Sequence, residues 1–268
     1  MTKEFSNVYD DKTRAEAYDR LEFPGTYYLA YRDLPAIIGQ HVQRKKALDF
    51  GCGTGRSTRF LRKLGFDVLG VDIAEQMLAL ARKRDPAGDY RLVPDGNLDG
   101  FRANTYDLIL SAFTFDNIPT MEKKVLLLKS LKRLLKPNGC IVSVVSSPDI
   151  YVNEWASFST KNFPKNRSAK SGEKVLIVML DVPDSRPVED IIWTDEAYAE
   201  TYKRAGLAPV SVYKPLASPD EPYNWVSETK VAPWVIYVLR PEESNPNARI
   251  VPPPNRAAVN SRAEHKGG

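Results

Sequence analysis

The feature that most constrains this chain is a glycine-rich turn that directly follows an apolar segment. It reads Ala47-Leu-Asp-Phe-Gly-Cys-Gly-Thr-Gly-Arg-Ser57, and a second apolar segment further on ends in Gly70-Val-Asp-Ile73. Glycine permits positive φ and places no Cβ between the backbone and a ligand. A carboxylate at the end of the second strand can accept hydrogen bonds from both hydroxyls of a ribose. Strand, glycine turn, helix, strand and terminal acid together predict a βαβ unit that binds a nucleoside.

The spacing of the glycines narrows the type of ligand. In the dinucleotide fingerprint Gly-x-Gly-x-x-Gly, the last glycine lies inside the helix. Here Arg56 occupies that position, and the glycines alternate at 51, 53 and 55 after Asp49. This arrangement suits a ligand without a pyrophosphate, whose charged amino-acid end can meet Asp49 and the turn backbone. It argues against an NAD-dependent oxidoreductase, an alternative that retained nicotinamide in the purified protein would revive.

At these residues the chain resembles the class I S-adenosylmethionine (SAM) dependent methyltransferases. The turn from Asp49 to Gly55 is similar to the first motif of that family, and Gly70-Val-Asp-Ile73 to its ribose-binding segment. Tyr106-Asp-Leu-Ile-Leu-Ser-Ala112 resembles the fourth strand, and Leu134-Leu-Lys-Pro-Asn-Gly-Cys-Ile-Val142 the turn into the fifth. The resemblance covers residues 44–146. It implies SAM as the cofactor and S-adenosylhomocysteine as the product.

Alternating strands and helices predict an α/β fold with a doubly wound, mostly parallel sheet. By the resemblance this is a Rossmann-like methyltransferase sheet of seven strands, the last two forming an antiparallel hairpin at one edge. The predicted organisation is a helical N-terminal lid over residues 1–43, a SAM-dependent methyltransferase domain over 44–240 and a disordered tail over 241–268. Small cap insertions are expected at about 149–183 and 214–232.

Hydrophobic periodicity and turn residues place the individual elements. Strands are predicted at 47–51, 68–71, 90–93, 106–112, 140–145, 175–180, 210–213 and 234–239. Helices are predicted at 29–42, 54–64, 75–84 and 121–136, and from 194 to Gly206. The apolar stripe of helix 121–136 is expected to be buried. Its basic residues are expected on a solvated face rather than in a nucleic-acid patch: Lys123, Lys124, Lys129, Lys132 and Arg133.

The expected ligand site lies beyond the carboxyl ends of the strands, where ligands of such sheets bind. The resemblance implies that Asp72 binds the ribose, that Asp95 accepts the adenine amino group and that Ile73 flanks the adenine ring. A turn-forming role before glycine is the alternative for Asp95. The residues expected to bind the cofactor are Asp49, Gly51, Cys52, Gly53, Gly55, Asp72, Ile73, Met77, Asp95, Gly96, Ala112, Phe113 and Tyr18.

The acceptor side is expected to be built from aromatic residues of the lid and the caps, which favour a small or flat organic molecule. Packing within the lid and caps is the alternative role for each of them. The expected substrate contacts are Tyr27, Tyr28, Phe115, Trp155, Asn224 and Trp225. Asp116 and Glu228 are the candidates for a catalytic group. Loop capping explains Asp116 and Asn117 better than metal binding, and no metal is expected.

The composition of the chain limits the classes of partner that are expected. The net charge of +4 is spread along the chain, without the concentrated basic stripe of a nucleic-acid binder. The two cysteines, Cys52 and Cys140, lack metal-ligand spacing and are expected to be small buried residues. Because no apolar run reaches membrane-spanning length, a cytoplasmic protein without a membrane partner is expected. The expected oligomeric state is a monomer or a homodimer.

These features, with the resemblance, predict a methyltransferase that transfers the methyl group of SAM to a small organic acceptor. Transfer is an in-line displacement that depends mainly on positioning, and a general base helps only if the acceptor carries a proton. The acceptor atom, oxygen, nitrogen or carbon, is left open. The segment 111–117 lacks an Asn-Pro-Pro-Tyr run, which argues against methylation of base amines or a glutamine amide. The alternatives are an RNA or protein methyltransferase and a SAM-binding protein without transfer activity.

Overall fold

A seven-stranded sheet forms the centre of the protein, in a computed structural model that describes residues 24–242. The strands are β1 Lys46–Phe50, β2 Asp67–Asp72, β3 Asp89–Leu92, β4 Tyr106–Ala112, β5 Leu135–Ser146, β6 Phe158–Ser159, β7 Lys174–Met179, β8 Val188–Ile191, β9 Leu207–Tyr213 and β10 Trp234–Pro241. The central sheet has the order β3-β2-β1-β4-β5-β10-β9. Strands β1 to β5 are parallel, and β10 runs antiparallel to both of its neighbours. The predicted mostly parallel sheet with an antiparallel edge is confirmed.

Six α-helices accompany these strands within residues 24–242. They are α1 Thr26–Arg32, α2 Leu34–His41, α3 Arg56–Lys63, α4 Glu75–Arg84, α5 Met121–Leu134 and α6 Asp195–Ala205. Helix α6 begins where its sequence predicts, because the Thr194 side chain accepts a hydrogen bond from the Ala197 N–H. It ends at Gly206, which has a φ of 68°, a left-handed conformation that glycine adopts at low cost.

The sheet is buried on both faces, as its apolar strands predict. Along β5, Cys140, Val142 and Val144 belong to one core cluster, whereas Ile141 and Val145 belong to the other. The first cluster includes residues of α1, α2 and α3, and the second includes residues of α5 and α6. The period-two alternation of β5 therefore supplies both cores and places the helices on opposite sides of the sheet.

The single helix predicted over 29–42 is wrong, because the structure contains two helices, α1 and α2. Asp33 separates them, with φ −93° and ψ −11°, and it is the C-cap of the first and the N-cap of the second. Pro35 follows in the first turn of α2. Proline has no N–H and its ring clashes with the carbonyl four residues earlier, so it fits a first turn and not a helix interior.

A small antiparallel sheet, β6-β7-β8, lies outside the central sheet. Its strand β8, Val188–Ile191, was not predicted and lies beyond the end of the first predicted cap insertion at residue 183. The Asn166 amide anchors this region, since it donates to the carbonyls of Tyr151 and Leu176 at 2.9 and 2.8 Å. We refer to β6, β7 and β8 as the cap sheet.

The second predicted insertion, 214–232, contains neither helix nor strand. Its Glu228 is fully buried and binds three groups. One carboxyl oxygen accepts from the Thr26 hydroxyl and the Ala156 N–H, both at 2.7 Å, and the other accepts from the Val226 N–H at 2.8 Å. Glu228 thus joins helix α1, the segment before the cap sheet and its own loop.

The prediction that Lys124 lies on a solvated face of α5 is wrong. Lys124 is fully buried, and its ammonium group donates to the backbone carbonyl of Phe115. The same nitrogen lies 4.6 Å from the ring centroid of Trp193 and 5.4 Å from that of Tyr198. Helix α5 packs against α6 as well as against the sheet, so its buried sector is wider than the apolar stripe indicates.

Candidate functional site

A cavity of about 330 Å³ opens at the carboxyl ends of β1, β2 and β4. We refer to it as the large cavity. Its size falls in the range of small-molecule and cofactor sites. Many of the residues predicted to bind the cofactor line it: Gly51, Cys52, Gly53, Asp72, Ile73, Met77, Asp95, Gly96, Ala112 and Phe113. Residues distant in sequence therefore converge at the edge of the sheet where the topology places a ligand.

The glycine turn forms one wall of the large cavity. Gly51 has a φ of 75°, and a Cβ at this position would lie 2.1 Å from the Thr114 hydroxyl oxygen. Both Gly51 and Cys52 donate their N–H groups to the carbonyl of Val71, at 2.8 and 3.0 Å. The turn is thus fixed between the end of β2 and the loop after β4, and only glycine fits at position 51.

Asp72 lies at the end of β2 and faces the large cavity. Its carboxylate accepts from the N–H groups of Gly53 and Ala74, at 2.8 and 2.9 Å. A carboxylate has about four lone-pair sites, so a group of this type can accept more than two hydrogen bonds. Asp72 therefore closes the turn and also presents an acceptor to a ligand in the cavity.

Asp49 lies behind the turn and does not line the large cavity. It is fully buried, and one of its oxygens accepts from the hydroxyls of Ser57 and Thr58, each at 2.6 Å. The other oxygen is buried and has no hydrogen-bond partner within residues 24–242. Burial raises the pKa of Asp49 to about 6; the two hydroxyls oppose the rise and Asp72 adds to it. A cationic group that reached this oxygen would satisfy it.

Asp95 and Gly96 form the opposite wall of the large cavity. Both adopt left-handed backbone conformations, with φ of 54° and 73°. Such a conformation is uncommon for a residue other than glycine, although aspartate tolerates it better than most. The structure thus shows the turn geometry expected from the alternative, turn-forming role of Asp95. It also places Asp95 in the wall of the large cavity.

A second, smaller cavity of about 50 Å³ adjoins the first, and Phe113 and Asn117 line both. We refer to it as the small cavity. It lies between the carboxyl ends of β4 and β5, helix α1 and the cap sheet. Its remaining lining residues are Tyr27, Asp116, Ser146, Ile150, Phe158, Ile177, Met179, Val188, Asp190 and Trp234.

Four aromatic rings form a connected group at the small cavity. The rings of Phe113 and Trp234 have centroids 4.7 Å apart, and those of Tyr27 and Phe158 are 5.1 Å apart. Tyr27 also stacks on Trp234 at 5.8 Å. The Trp234 indole donates to the Thr26 carbonyl at 2.8 Å, which fixes the ring. The faces and edges of these rings make a rigid, largely apolar enclosure.

Asp116 forms a polar wall of the small cavity. It accepts from the N–H and hydroxyl of Ser146, at 3.0 and 2.9 Å, and from the Tyr198 hydroxyl at 3.2 Å. Burial raises the pKa of Asp116 and lowers that of Lys124, while the attraction between the two groups opposes both shifts. Asp116 is therefore held by hydrogen bonds and lies close to a buried cation.

Asp190 is a site residue that the sequence prediction missed. Val188 and Asp190 line the small cavity, while Glu189 between them faces outward and pairs with Lys174 at 2.6 Å. Burial raises the pKa of Asp190 to about 7, and the Asp116 carboxylate adds to the rise. The signal that could have found it is the set of β-branched residues Val188, Ile191 and Ile192 after Pro187, since β-branched residues bounded by a turn are typical of a short strand.

Several predicted substrate or catalytic residues lie away from both cavities. Trp155 is buried and donates to the Ile150 carbonyl at 2.8 Å, and Phe115 lies in the core beneath the site. The other four are Tyr28, Asn224, Trp225 and Glu228. Tyr28 packs on Tyr223, and Trp225 donates to the Ser218 carbonyl. Asn224 is exposed, whereas Glu228 is buried.

Besides Asp49, one further predicted cofactor residue of the described chain, Gly55, lines neither cavity. A Cβ on Gly55 would lie 2.5 Å from the Tyr90 hydroxyl oxygen, so this glycine serves packing behind the turn. Tyr18 lies outside the described residues. Arg56, which the prediction treated only as a departure from a glycine, does line the large cavity. Its guanidinium carbon lies 5.1 Å from the ring centroid of Tyr27, a cation–π distance.

Comparisons with known proteins identify the type of domain. A family model described as a methyltransferase domain matches residues 48–143. The chain is 26% identical over 189 residues to a cypemycin N-terminal methyltransferase of Streptomyces, which covers 65% of this chain and 74% of that protein. It is 29% identical over 125 residues to a ubiquinone biosynthesis O-methyltransferase of Bordetella avium, covering 45% of this chain and 44% of that protein.

A solved structure shows the same fold. The crystal structure of a SAM-dependent methyltransferase from Clostridium acetobutylicum superposes with a TM-score of 0.57, covering 87% of this chain and 99% of that one, at 16% identity. Within residues 24–242, no helix is long and apolar enough to cross a membrane.

Proposed function

This chain carries a methyltransferase domain of the class I, SAM-dependent type, and from that premise we propose that it transfers a methyl group to a small organic acceptor held in the small cavity. One observation carries the proposal: the large and small cavities adjoin, and Phe113 and Asn117 line both. A cofactor in the first and an acceptor in the second would meet at these two residues. Bringing the reactants together in this way supplies much of the acceleration of a displacement.

The residues of the large cavity fit SAM. We propose that Asp72 accepts the ribose hydroxyls, that Asp95 and Gly96 border the adenine and that the turn at Gly51 and Gly53 borders the amino-acid end. The unsatisfied buried oxygen of Asp49 and the positive φ of Gly51 support this orientation. SAM supplies a methyl group that its sulfonium already activates, so the protein needs no metal to activate it.

The role of the small cavity is to align the acceptor and exclude water. Its aromatic rings are fixed by mutual packing and by the Trp234 hydrogen bond. The proposal gives neither Asp116 nor Glu228 the role of general base. Asp116 receives three hydrogen bonds and faces Lys124, and Glu228 is buried away from the cavities with its oxygens engaged. We assign Asp116 to shaping the cavity and Glu228 to holding α1.

The relatives support a small acceptor. One bears the name of a ubiquinone biosynthesis O-methyltransferase and others that of a demethylmenaquinone methyltransferase. The chain spans about half the length of these curated relatives, so their substrates suggest only a class. The size of the small cavity, about 50 Å³, also favours a small molecule or a single small group. We propose a cytoplasmic enzyme that works as a monomer or homodimer.

The first experiment is calorimetric titration of the full chain with SAM, S-adenosylhomocysteine and NAD, followed by an assay of S-adenosylhomocysteine release with pooled small metabolites, RNA and a protein extract. Binding of the first two ligands with turnover only on the metabolite pool is the expected result. Turnover on RNA or protein instead would favour those acceptors. Binding without turnover on any pool would favour a SAM-binding protein without transfer activity. Failure of a folded sample to bind SAM would overturn the proposal.

A further inference from the structure

The two acidic residues that line the small cavity, Asp116 and Asp190, indicate which chemical class of acceptor it binds. We propose that the small cavity takes the amino group of an aliphatic amine, and that Asp190 binds this group and receives its proton. The inference rests on the proposed function, because it concerns the acceptor of the same transfer. It is carried by the charge of the cavity wall, by the position of Asp190 on the cap sheet and by the aromatic enclosure.

The wall of the small cavity is acidic. Asp116 and Asp190 both line it, and its other lining residues within the described chain include no lysine, arginine or histidine. An anionic acceptor would meet two acidic residues and no cationic side chain in the lining of the cavity, because Lys124 lies behind Asp116 in the core; this disfavours carboxylic acids and phosphates. A cation would be attracted to the same wall, and its desolvation would be offset by a charge-assisted hydrogen bond.

The two acids are not equivalent. The Asp116 carboxylate accepts three hydrogen bonds and lies beside the Lys124 ammonium. Within residues 24–242, one side-chain hydrogen bond reaches Asp190, from the Tyr151 hydroxyl at 3.3 Å, and no ion pair includes it. Asp190 therefore has the greater remaining capacity to bind an ammonium group from the cavity.

The placement of Asp190 indicates a ligand rather than a solvated strand. On β8, Glu189 faces outward and pairs with Lys174, which is the usual position of charge on a cap strand. Asp190 is on the opposite face, among Val188, Ile177 and Phe158 of the small cavity. Placing a carboxylate on an apolar inner face costs free energy of folding unless a cation or a hydrogen-bond donor pairs with it. An ammonium ligand would supply that pairing.

The aromatic rings suit the same ligand. A cation is stabilised by the faces of tryptophan, tyrosine and phenylalanine rings, and the cavity presents Tyr27, Phe113, Phe158 and Trp234. An amine becomes more cationic as it is methylated, so these rings would favour the transition state. A neutral hydroxyl acceptor would gain less from them.

Asp190 accepts the proton that the acceptor nitrogen loses before the methyl transfer. The bound ammonium group first passes one proton to a carboxylate oxygen of Asp190, which leaves a lone pair on the nitrogen. The nitrogen then forms the new bond to the methyl carbon with this lone pair, and the bond from that carbon to sulfur breaks and leaves its electron pair on sulfur. The pKa of that carboxyl, raised by burial to about 7, suits a group that takes up a proton near neutral pH.

The test compares three probes of equal length: n-butylamine, n-butanol and butyrate. Binding is measured by calorimetry with S-adenosylhomocysteine saturating the protein, and turnover is measured with SAM. We expect n-butylamine to bind at least about tenfold more tightly than n-butanol, a typical effect of a charge-assisted hydrogen bond, and butyrate to bind most weakly. The variant Asp190→Asn should lose most of this preference.

Glu189→Gln is the matched control, because it removes a carboxylate of the same strand from the outward face. It should retain the amine preference, and both variants should retain the affinity for S-adenosylhomocysteine. Equal binding of amine and alcohol by the unmodified protein, or no saturable amine binding at millimolar concentration, would overturn the inference. Amine binding without turnover would support the binding role of Asp190 and count against both its proton role and the proposed function. Turnover on alcohols without amine preference would support the proposed function and overturn the inference.

Discussion

At the scale of single residues, two carboxylates beside one glycine turn have different environments. Asp72 faces the large cavity and accepts from two backbone N–H groups. Asp49 is fully buried behind the turn, where two hydroxyls hold one of its oxygens. The two residues should therefore respond differently to substitution.

Asp72→Ala should weaken SAM binding by about 1.5–3 kcal/mol, because a ligand loses a charge-assisted acceptor. Calorimetric titration with SAM measures the effect. Asp67→Ala is the control, since Asp67 is exposed at the opposite end of the same strand. An unchanged affinity in Asp72→Ala would refute the role of Asp72. A melting temperature measured for each variant separates a lost contact from a disrupted turn.

Asp49 should make the free energy of unfolding of the ligand-free protein depend on pH. Its folded pKa of about 6 lies above the ordinary value of 3.8, so the folded state holds the proton more tightly. The stability from this group is complete below pH 4 and is lost as pH rises through 6, on the order of 2 kcal/mol. Urea unfolding of Asp49→Asn between these pH values should show a shallower decline than the unmodified chain. Parallel curves would show that Asp49 is ionised in both states.

At the scale of elements, α5 shows how packing against two neighbours changes the environment of a helix face. The sequence places Val125, Leu128 and Leu131 on one buried stripe, and the structure confirms their burial. The contact with α6 also buries Lys124, beside Trp193 and the acid at the small cavity. A buried cation of this type stabilises the fold only together with its partner charge.

Lys124→Met should destabilise the protein by about 3 kcal/mol or more, because Asp116 would be left buried without its cation. The double variant Lys124→Met with Asp116→Asn should recover a large part of this loss, and denaturant unfolding of all four members of the cycle measures the coupling. Lys129→Met, on the exposed face of α5, should change stability by less than about 0.5 kcal/mol. Additive effects of the two core substitutions would contradict the pairing.

At the scale of the whole molecule, the small cavity belongs to no single part of the fold. Its wall takes residues from helix α1, from the ends of β4 and β5, from the cap sheet and from β10. Glu228 connects two of these parts, because it binds both Thr26 of α1 and Ala156 before the cap sheet. The relative position of helix α1 and the cap sheet, and so the shape of the proposed acceptor site, depends on such long-range bonds.

Glu228→Ala should destabilise the protein by about 2–4 kcal/mol, because three donors lose their acceptor and one of them, the Thr26 hydroxyl, is buried. We also expect a higher KM for the acceptor, with the Kd for SAM nearly unchanged, since Glu228 does not line the large cavity. Urea unfolding and steady-state kinetics measure the two effects. Asp220→Ala, at an exposed position of the same loop, is the control. An equal loss of SAM affinity would show that Glu228 supports both cavities.

Sequence alone determined the parts of this protein that depend on local chemistry. The glycine turn, the acid at the end of β2 and the apolar runs of β4 and β5 each have a local reason, so the sheet and the large cavity could be predicted. Tertiary structure decided which side chains of helix α1, the cap sheet and the loop 214–232 meet. The burial of Lys124 and the inward face of Asp190 depend on packing between elements far apart in sequence. Residue spacing within one element carries no information about such contacts, so the proposed acceptor site emerged only with the fold.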